Sequence, residues 1–200
     1  VITIDPKSSK DFDDAMGIVI NKDFSILSIY IANVPLWLDY LNLWGSFSKR
    51  VSTIYLPDRK LPMLPTVLSD VLCSLQEDCS RFAFTIDIKV NNDTGDIIDY
   101  KFVNTVINVS KNYVYDSKEQ EKNLLYNEVF DLVHKMNKRK KYTYNIKNCH
   151  DVVAYLMILM NHVCAKEMSN QQQGLFRSMS FSKTFDSTEL TDNEEIQQFL

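Results

Sequence analysis

Thr3-Ile4-Asp5-Pro6-Lys7-Ser8-Ser9-Lys10-Asp11-Phe12-Asp13-Asp14-Ala15 is the stretch that decides how this chain is read. Four aspartates fall within ten positions, three of them in Asp11-Phe12-Asp13-Asp14. Carboxylates this close repel one another, and crowding them costs stability unless a cation neutralises them. Val1-Ile2-Thr3-Ile4 precedes the cluster and Ala15-Met16-Gly17-Ile18-Val19-Ile20 follows it, both apolar and strand-like. The acids are therefore anchored to a core and not carried on a loose tail. Hard oxygen donors held in this way suit Mg²⁺, with Mn²⁺ as the alternative, and not zinc.

Working outward, residues 1–5 read as a strand that runs into the acidic loop. Residues 14–20 and 25–32 are two β-rich runs, and the turn formers Asn21-Lys22-Asp23 between them predict a hairpin. Residues 35–49 carry Leu36, Leu38, Leu41, Leu43, Trp44 and Phe47, a helical pattern with a break expected at Gly45. A short strand is expected over 51–56. Pro57, Pro62 and Pro65 then enforce extended backbone, and one helical turn is expected over 69–75. Phe82, Phe84, Ile86, Ile88 and Val90 alternate with Ala83, Thr85, Asp87 and Lys89, as in a half-buried strand. Asn91-Asn92-Asp93-Thr94-Gly95-Asp96 turns the chain into a long strand over 97–109.

Two helices follow. The first is expected over 117–141, with Ser117 as N-cap and Gln120 three residues on as in a capping box. Its apolar stripe is Leu124, Leu125, Val129, Leu132, Val133 and Met136, and Lys138, Arg139, Lys140 and Lys141 complement the dipole at its C-terminal end. The second, over 151–169, is apolar around most of its circumference and reads as a buried central helix. Gln171-Gln172-Gln173-Gly174 ends it, and a strand is expected over 175–181. The fold class expected from this order is α+β, with a mixed, largely antiparallel sheet and packed helices.

The 200 residues suit one domain, and a 45% hydrophobic content suits a sizeable core. No apolar run approaches a membrane span, and none resembles a signal peptide. Cys73, Cys79, Cys149 and Cys164 lack metal or disulfide spacing, so they read as free thiols of a reducing, cytoplasmic compartment. His134, His150 and His162 are scattered, which argues against a zinc site. A net charge of −4 counts mildly against a nucleic-acid partner, although an acidic site lowers the total without removing local basic patches. Both ends read as cut within an element, so a fragment of a longer chain is expected.

A solvated acidic turn is the plain alternative for the aspartates, and bracketing by strands disfavours it. An EF-hand needs Gly at position 6 and Glu at position 12 of its loop, and neither is in place from Asp5 or Asp11. A haloacid-dehalogenase motif should continue with small hydroxyl residues, whereas Ala15-Met16 follows here. Two-metal hydrolysis of a phosphodiester fits better, because it needs several carboxylates to hold cations about 3.5–4 Å apart.

Asp5-Pro6, then Asp11-Phe12-Asp13-Asp14-Ala15, resembles the catalytic signature of the ribonuclease II family, the RNB domain. Ser28-Ile29-Tyr30-Ile31-Ala32-Asn33-Val34 resembles that family's I-A-D-V strand. Arg50, Thr53-Ile54-Tyr55-Leu56-Pro57-Asp58-Arg59 and Leu61-Pro62-Met63-Leu64-Pro65 resemble its Y-L-P-D-R and P-M-L-P block. Leu68-Ser69, Leu72-Cys73-Ser74-Leu75 and Arg81 resemble the L-C-S-L segment that follows. The order and spacing make the likeness specific over residues 2–116, and it thins toward 181.

The resemblance implies a truncated RNB-like domain over residues 1–200. It also implies a Mg²⁺-dependent, processive 3′→5′ exoribonuclease that releases 5′-mononucleotides from single-stranded RNA, acting as a monomer. Asp5, Asp11, Asp13 and Asp14 would be its metal-holding catalytic acids. Tyr55 and Tyr115 would contact RNA, and Arg177 in Leu175-Phe176-Arg177-Ser178 would be structural or close to RNA. RNA-binding modules are expected on flanking sequence. One departure stands out. In Val153-Ala154-Tyr155-Leu156-Met157-Ile158-Leu159-Met160-Asn161 the family's two acids are replaced by Ala154 and Tyr155, and one of those acids helps fix substrate. A second stacking aromatic has only Tyr142 and Tyr144 as candidates. An inactive RNB-like subunit that binds RNA or a partner is the competing expectation.

Overall fold

The computed structural model describes residues 1–47, 49 and 52–176. A six-stranded sheet organises the molecule. It contains β1 (Ile2–Asp5), β2 (Asp14–Ile20), β3 (Phe24–Ala32), β6 (Ser80–Asn91), β7 (Ile97–Asn108) and β8 (Lys111–Val114), in the order β7-β6-β3-β2-β1-β8. Every neighbouring pair is antiparallel except β1 and β8, which run parallel with Ile2 opposite Lys111 and Asp5 opposite Val114. The expected mixed, largely antiparallel sheet is therefore present. The short strand β8 escaped the sequence reading because Lys111-Asn112-Tyr113-Val114 has neither alternation nor a run of β-branched residues.

Alternation along the strands sends side chains to two different layers. Ile2, Ile4, Met16, Leu27, Ile29, Ile86, Ile88 and Val90 pack against Val129, Val133, Leu156 and Leu159 of helices α3 (Leu124–Arg139) and α4 (Cys149–Asn170). Each such buried aliphatic side chain contributes about 1.5–3 kcal/mol. The opposite face buries Ala15, Ala32, Cys73, Leu75, Ala83, Ile107 and Val109 under the segment that follows the proline loop. The β6–β7 turn is clamped to α3 by Arg139, whose guanidinium meets Asp96 at 2.9 Å. Gly95 has φ +76, and a Cβ there would lie 2.9 Å from the Lys135 backbone, so only glycine permits this approach.

Several boundaries differ from expectation, each for a local reason. The first helical stretch breaks at Asn42, not Gly45. Helix α1 (Val34–Tyr40) ends there, and Asn42 adopts φ 53, a left-handed conformation that asparagine tolerates. Gly45 lies inside the short helix α2 (Trp44–Phe47). Strand β4 is only Ile54–Tyr55, paired with β5 (Lys60–Leu61), and Val51 lies outside the described residues. The turn expected over 69–75 is a π-helical segment, Val67–Leu72, closed by Cys73 N–H donating to the Leu68 carbonyl. Ser117 does not cap α3. Two 3₁₀ turns joined at a left-handed Lys118 occupy that stretch, and Asn123 caps the helix by accepting from Tyr126 N–H. Helix α4 begins with a full capping box between Asn148 and Asp151. Leu175 and Phe176 are irregular, and the remainder of the strand expected over 175–181 lies outside the described residues.

Candidate active site

Asp5 ends β1 and Asp14 begins β2, so the acidic loop closes between two interior strands of the sheet. This loop is tied down by residues far away in sequence. The Ser74 hydroxyl accepts from Phe12 N–H at 3.0 Å and donates to the Lys10 carbonyl at 2.9 Å. Leu75 N–H donates to the Phe12 carbonyl at 2.9 Å, and Ala32 N–H to the Asp13 carbonyl at 2.8 Å. Arg81 in turn holds the Ser74 carbonyl through Nε at 2.9 Å. Leu72-Cys73-Ser74-Leu75 and Arg81 are thus a splint for the acids. On the other side, Asn112 of β8 donates to the Thr3 hydroxyl at 2.8 Å and to the Leu75 carbonyl at 3.0 Å.

Asp5 is buried, and its Oδ2 has no hydrogen-bond partner. Burial, followed by the charges of Asp14, Asp13 and Asp11, raises the Asp5 carboxyl to about 7, against an opposing hydrogen bond from Thr3. Burial and then the Asp13 charge raise Asp14 to about 6. A buried, orphaned carboxylate oxygen among like charges is what a hard divalent cation relieves, so this donor set fits Mg²⁺ or Mn²⁺.

The acids face two directions. Asp11 and Asp13 line a cavity of about 350 Å³ together with Thr53, Pro62, Met63, Ser69 and Cys73. Burial and then the Asp13 charge push the Cys73 thiol up to about 11. Asp14 instead alternates to the face of Met16, toward Tyr115. Among the described residues, no three acidic, His or Cys side chains already converge as a ligand set.

The aromatic candidates separate clearly. Tyr55 sits on the β4–β5 hairpin and is 75% exposed, which excludes a core role. The hairpin's feet, Thr53 and Pro62, line the cavity of Asp11 and Asp13, whereas Tyr55 does not. Tyr115 follows Val114, the residue paired with Asp5. Burial, then Asp14 and Asp5, push its phenol up to about 12. Its ring stacks on His150, with centroids 3.8 Å apart and planes at 10°. Nothing in the sequence reading linked His150 to the acids. No local signal reveals the link, because it arises only where the α4 N-terminus at Asn148-Cys149-His150-Asp151 returns the chain to the end of β8. Tyr142 is buried edge-to-face against Tyr155, so it is unsuited to grip a ligand, while Tyr144 is exposed beneath Lys141. Ala154 is exposed, whereas Tyr155 is part of the core. Arg50 and Arg177 lie outside the described residues.

The model of the RNB domain matches residues 1–123, which contain all four aspartates, Tyr55 and Tyr115. The chain belongs to the RNB domain family. Ribonuclease R of Chlamydia trachomatis is 34% identical over 120 residues, covering 59% of this chain and 17% of the relative. Ribonuclease R of Thermotoga maritima is 32% identical over 145 residues, covering 64% of this chain and 20% of the relative. The chain thus spans about a fifth or less of the length of these curated relatives. Among solved structures, Mycoplasma genitalium RNase R in complex with ribose-methylated single-stranded RNA superposes with a TM-score of 0.73 at 22% identity, covering 90% of this chain and 34% of that one. Yeast Ssd1, a pseudonuclease, has the same fold at a TM-score of 0.52 and 14% identity, over 69% of this chain and 19% of that one.

Proposed function

We propose that this RNB-family chain is the catalytic part of a Mg²⁺- or Mn²⁺-dependent 3′→5′ exoribonuclease that hydrolyses single-stranded RNA processively to 5′-mononucleotides. The observation that carries this reading is the splinted aspartate loop, with the buried, orphaned Oδ2 of Asp5 in the field of the Asp14, Asp13 and Asp11 charges. Divalent cations bound there would activate water and stabilise the leaving oxygen. The chain's own residues hold the carboxylates in place, because Ser74 and Ala32 fix the loop backbone. Tyr55 supplies an exposed π-face, a grip that suits an enzyme indifferent to base identity, and Tyr115, whose ring is stacked on His150, is assigned its RNA contact on the family pattern. Arg177 is assigned a role close to RNA on the family pattern alone. One domain over residues 1–200, a monomeric state and a cytoplasmic location belong to the same reading. No helix among the described residues is long and apolar enough to cross a membrane.

A 3′-labelled single-stranded RNA tests this directly. With Mg²⁺ or Mn²⁺ the chain, or the longer protein that contains it, releases labelled mononucleotide, and EDTA stops the release. Asp13→Asn lowers the rate at least about 100-fold, the scale seen when one electrostatic participant is removed. Absence of release, or its survival in Asp13→Asn, overturns the proposal. A non-catalytic RNA-binding subunit is the second reading, favoured by the exposed Ala154 where the family pattern carries an acid. Tight RNA binding without any release would select it.

A further inference from the structure

The stack that begins in the core beneath Tyr115 has an open end. Tyr115 is half-buried and packs on the main core. His150 lies parallel to it at 3.8 Å and is itself exposed, so the imidazole face away from Tyr115 meets solvent. Two features hold the pair in place. Tyr115 continues directly from β8, whose Val114 is opposite Asp5, so the stack stands beside the acidic loop. Cys149, next to His150, donates through Sγ to the Tyr115 carbonyl at 3.6 Å and accepts from Gln120 Nε2 at 3.3 Å, which locks the first turn of α4 against the Tyr115 segment. One helical turn after His150, on the same face of α4, stands Ala154, also exposed. A methyl group there leaves the flank of the imidazole open, where a longer side chain at this spacing would lie against it.

A planar, preorganised face at the mouth of a phosphodiester site has a natural complement in a nucleobase. We infer that His150 is a substrate-contacting residue, extending the Tyr115 ring by one layer so that a base near the RNA 3′ end stacks on the imidazole. The inference rests on the proposed RNA-hydrolysing function and adds to it a residue outside the segment that matches the family model, residues 1–123. Stacking on one aromatic layer is sequence-tolerant, so His150 sets affinity and register for RNA and does not select a base.

The test is anisotropy of a short 5′-fluorescein single-stranded RNA titrated with the 200-residue chain in EDTA, which blocks turnover. Wild type binds, His150→Ala binds about 5- to 100-fold more weakly, and His150→Phe stays close to wild type, because a stacked base is worth about 1–3 kcal/mol and a phenyl ring preserves the face. Replacing one 3′-proximal base with an abasic ribose weakens binding to wild type and leaves binding to His150→Ala unchanged. A purely structural role for His150 cannot produce that cancellation. Equal binding by wild type and His150→Ala overturns the inference alone. So does equal weakening by His150→Phe, or an abasic penalty that persists in His150→Ala. A wild-type chain that binds no RNA overturns both this inference and the function on which it rests.

Discussion

The acidic loop at residues 6–13 and the β4–β5 hairpin border one cavity, yet they are built in opposite ways. The acidic loop has little regular structure, but its backbone is pinned by Ser74, Leu75 and Ala32, residues distant in sequence. The hairpin has strands of two residues each, one closing bond from Leu56 N–H to the Arg59 carbonyl, and Ile54, Tyr55, Leu56 and Leu61 exposed. The difference suits the tasks proposed for them. Carboxylates that share cations must be held against their own repulsion, which takes fixed partners. A side chain that grips a passing polymer needs an uncovered face and gains nothing from burial.

The contrast predicts a graded series of effects on stability. The largest comes from charge. The Asp5 carboxyl is raised from 3.8 to about 7, so the folded chain binds a proton more tightly than the unfolded chain between those limits. Stability is therefore fully present below about pH 4 and is lost as pH rises toward 7, by about 2–4 kcal/mol for this group once solvent screening is allowed for, and in the same direction for Asp14. In metal-free buffer, the Tm of wild type should fall by roughly 10 °C relative to Asp5→Asn between pH 4.5 and 7.5. Mg²⁺ or Mn²⁺ should restore much of it at pH 7.5 in wild type only. A parallel pH dependence in the two proteins would show that the loop is not strained by charge.

A smaller effect is expected from Ser74→Ala, which strands the Phe12 N–H and the Lys10 carbonyl. Urea unfolding should read a loss of about 1–3 kcal/mol, with turnover falling alongside as the acids lose their splint. Unchanged stability would mean that Leu75 and Ala32 suffice to hold the loop. The smallest stability effect belongs to Tyr55→Ala, within about 0.5 kcal/mol of wild type, while affinity for single-stranded RNA falls about 5- to 100-fold. A clear Tm loss in Tyr55→Ala would place the hairpin among the structural elements and collapse the comparison.

The same contrast explains what could be read from the chain. Strands β2, β3, β6 and β7 declare themselves by alternation and turn residues, and the Asp5–Asp14 cluster by charge density. Both signals are local. The Ser74 splint is not local. It joins positions 62 and 64 residues apart, and a serine within an apolar block gives no hint of its partner. Ser117 with Gln120 carried the formal marks of a helix start, yet Lys118 turned left-handed and Asn123 took the cap. Tyr142 looked like a free aromatic after a basic run, and packing against Tyr155 decided otherwise. His150 was judged only as a metal ligand, and its stacking on Tyr115 depends on α4 returning to the end of β8.

The parallel pairing of β1 with β8 has a consequence for assembly in time. Thr3 meets Asn112 across 109 positions, whereas β1, β2 and β3 are joined by short connections. Local hairpins form before distant pairings, because long loops must close before their contacts give any return. During synthesis the four aspartates can be drawn together while β1 is still an open sheet edge. That edge is a template for pairing with another chain until Lys111–Val114 covers it. Premature release or a slowed ribosome within the segment between Asn91 and Ser110 should therefore favour aggregation through β1 over simple loss of the later helices.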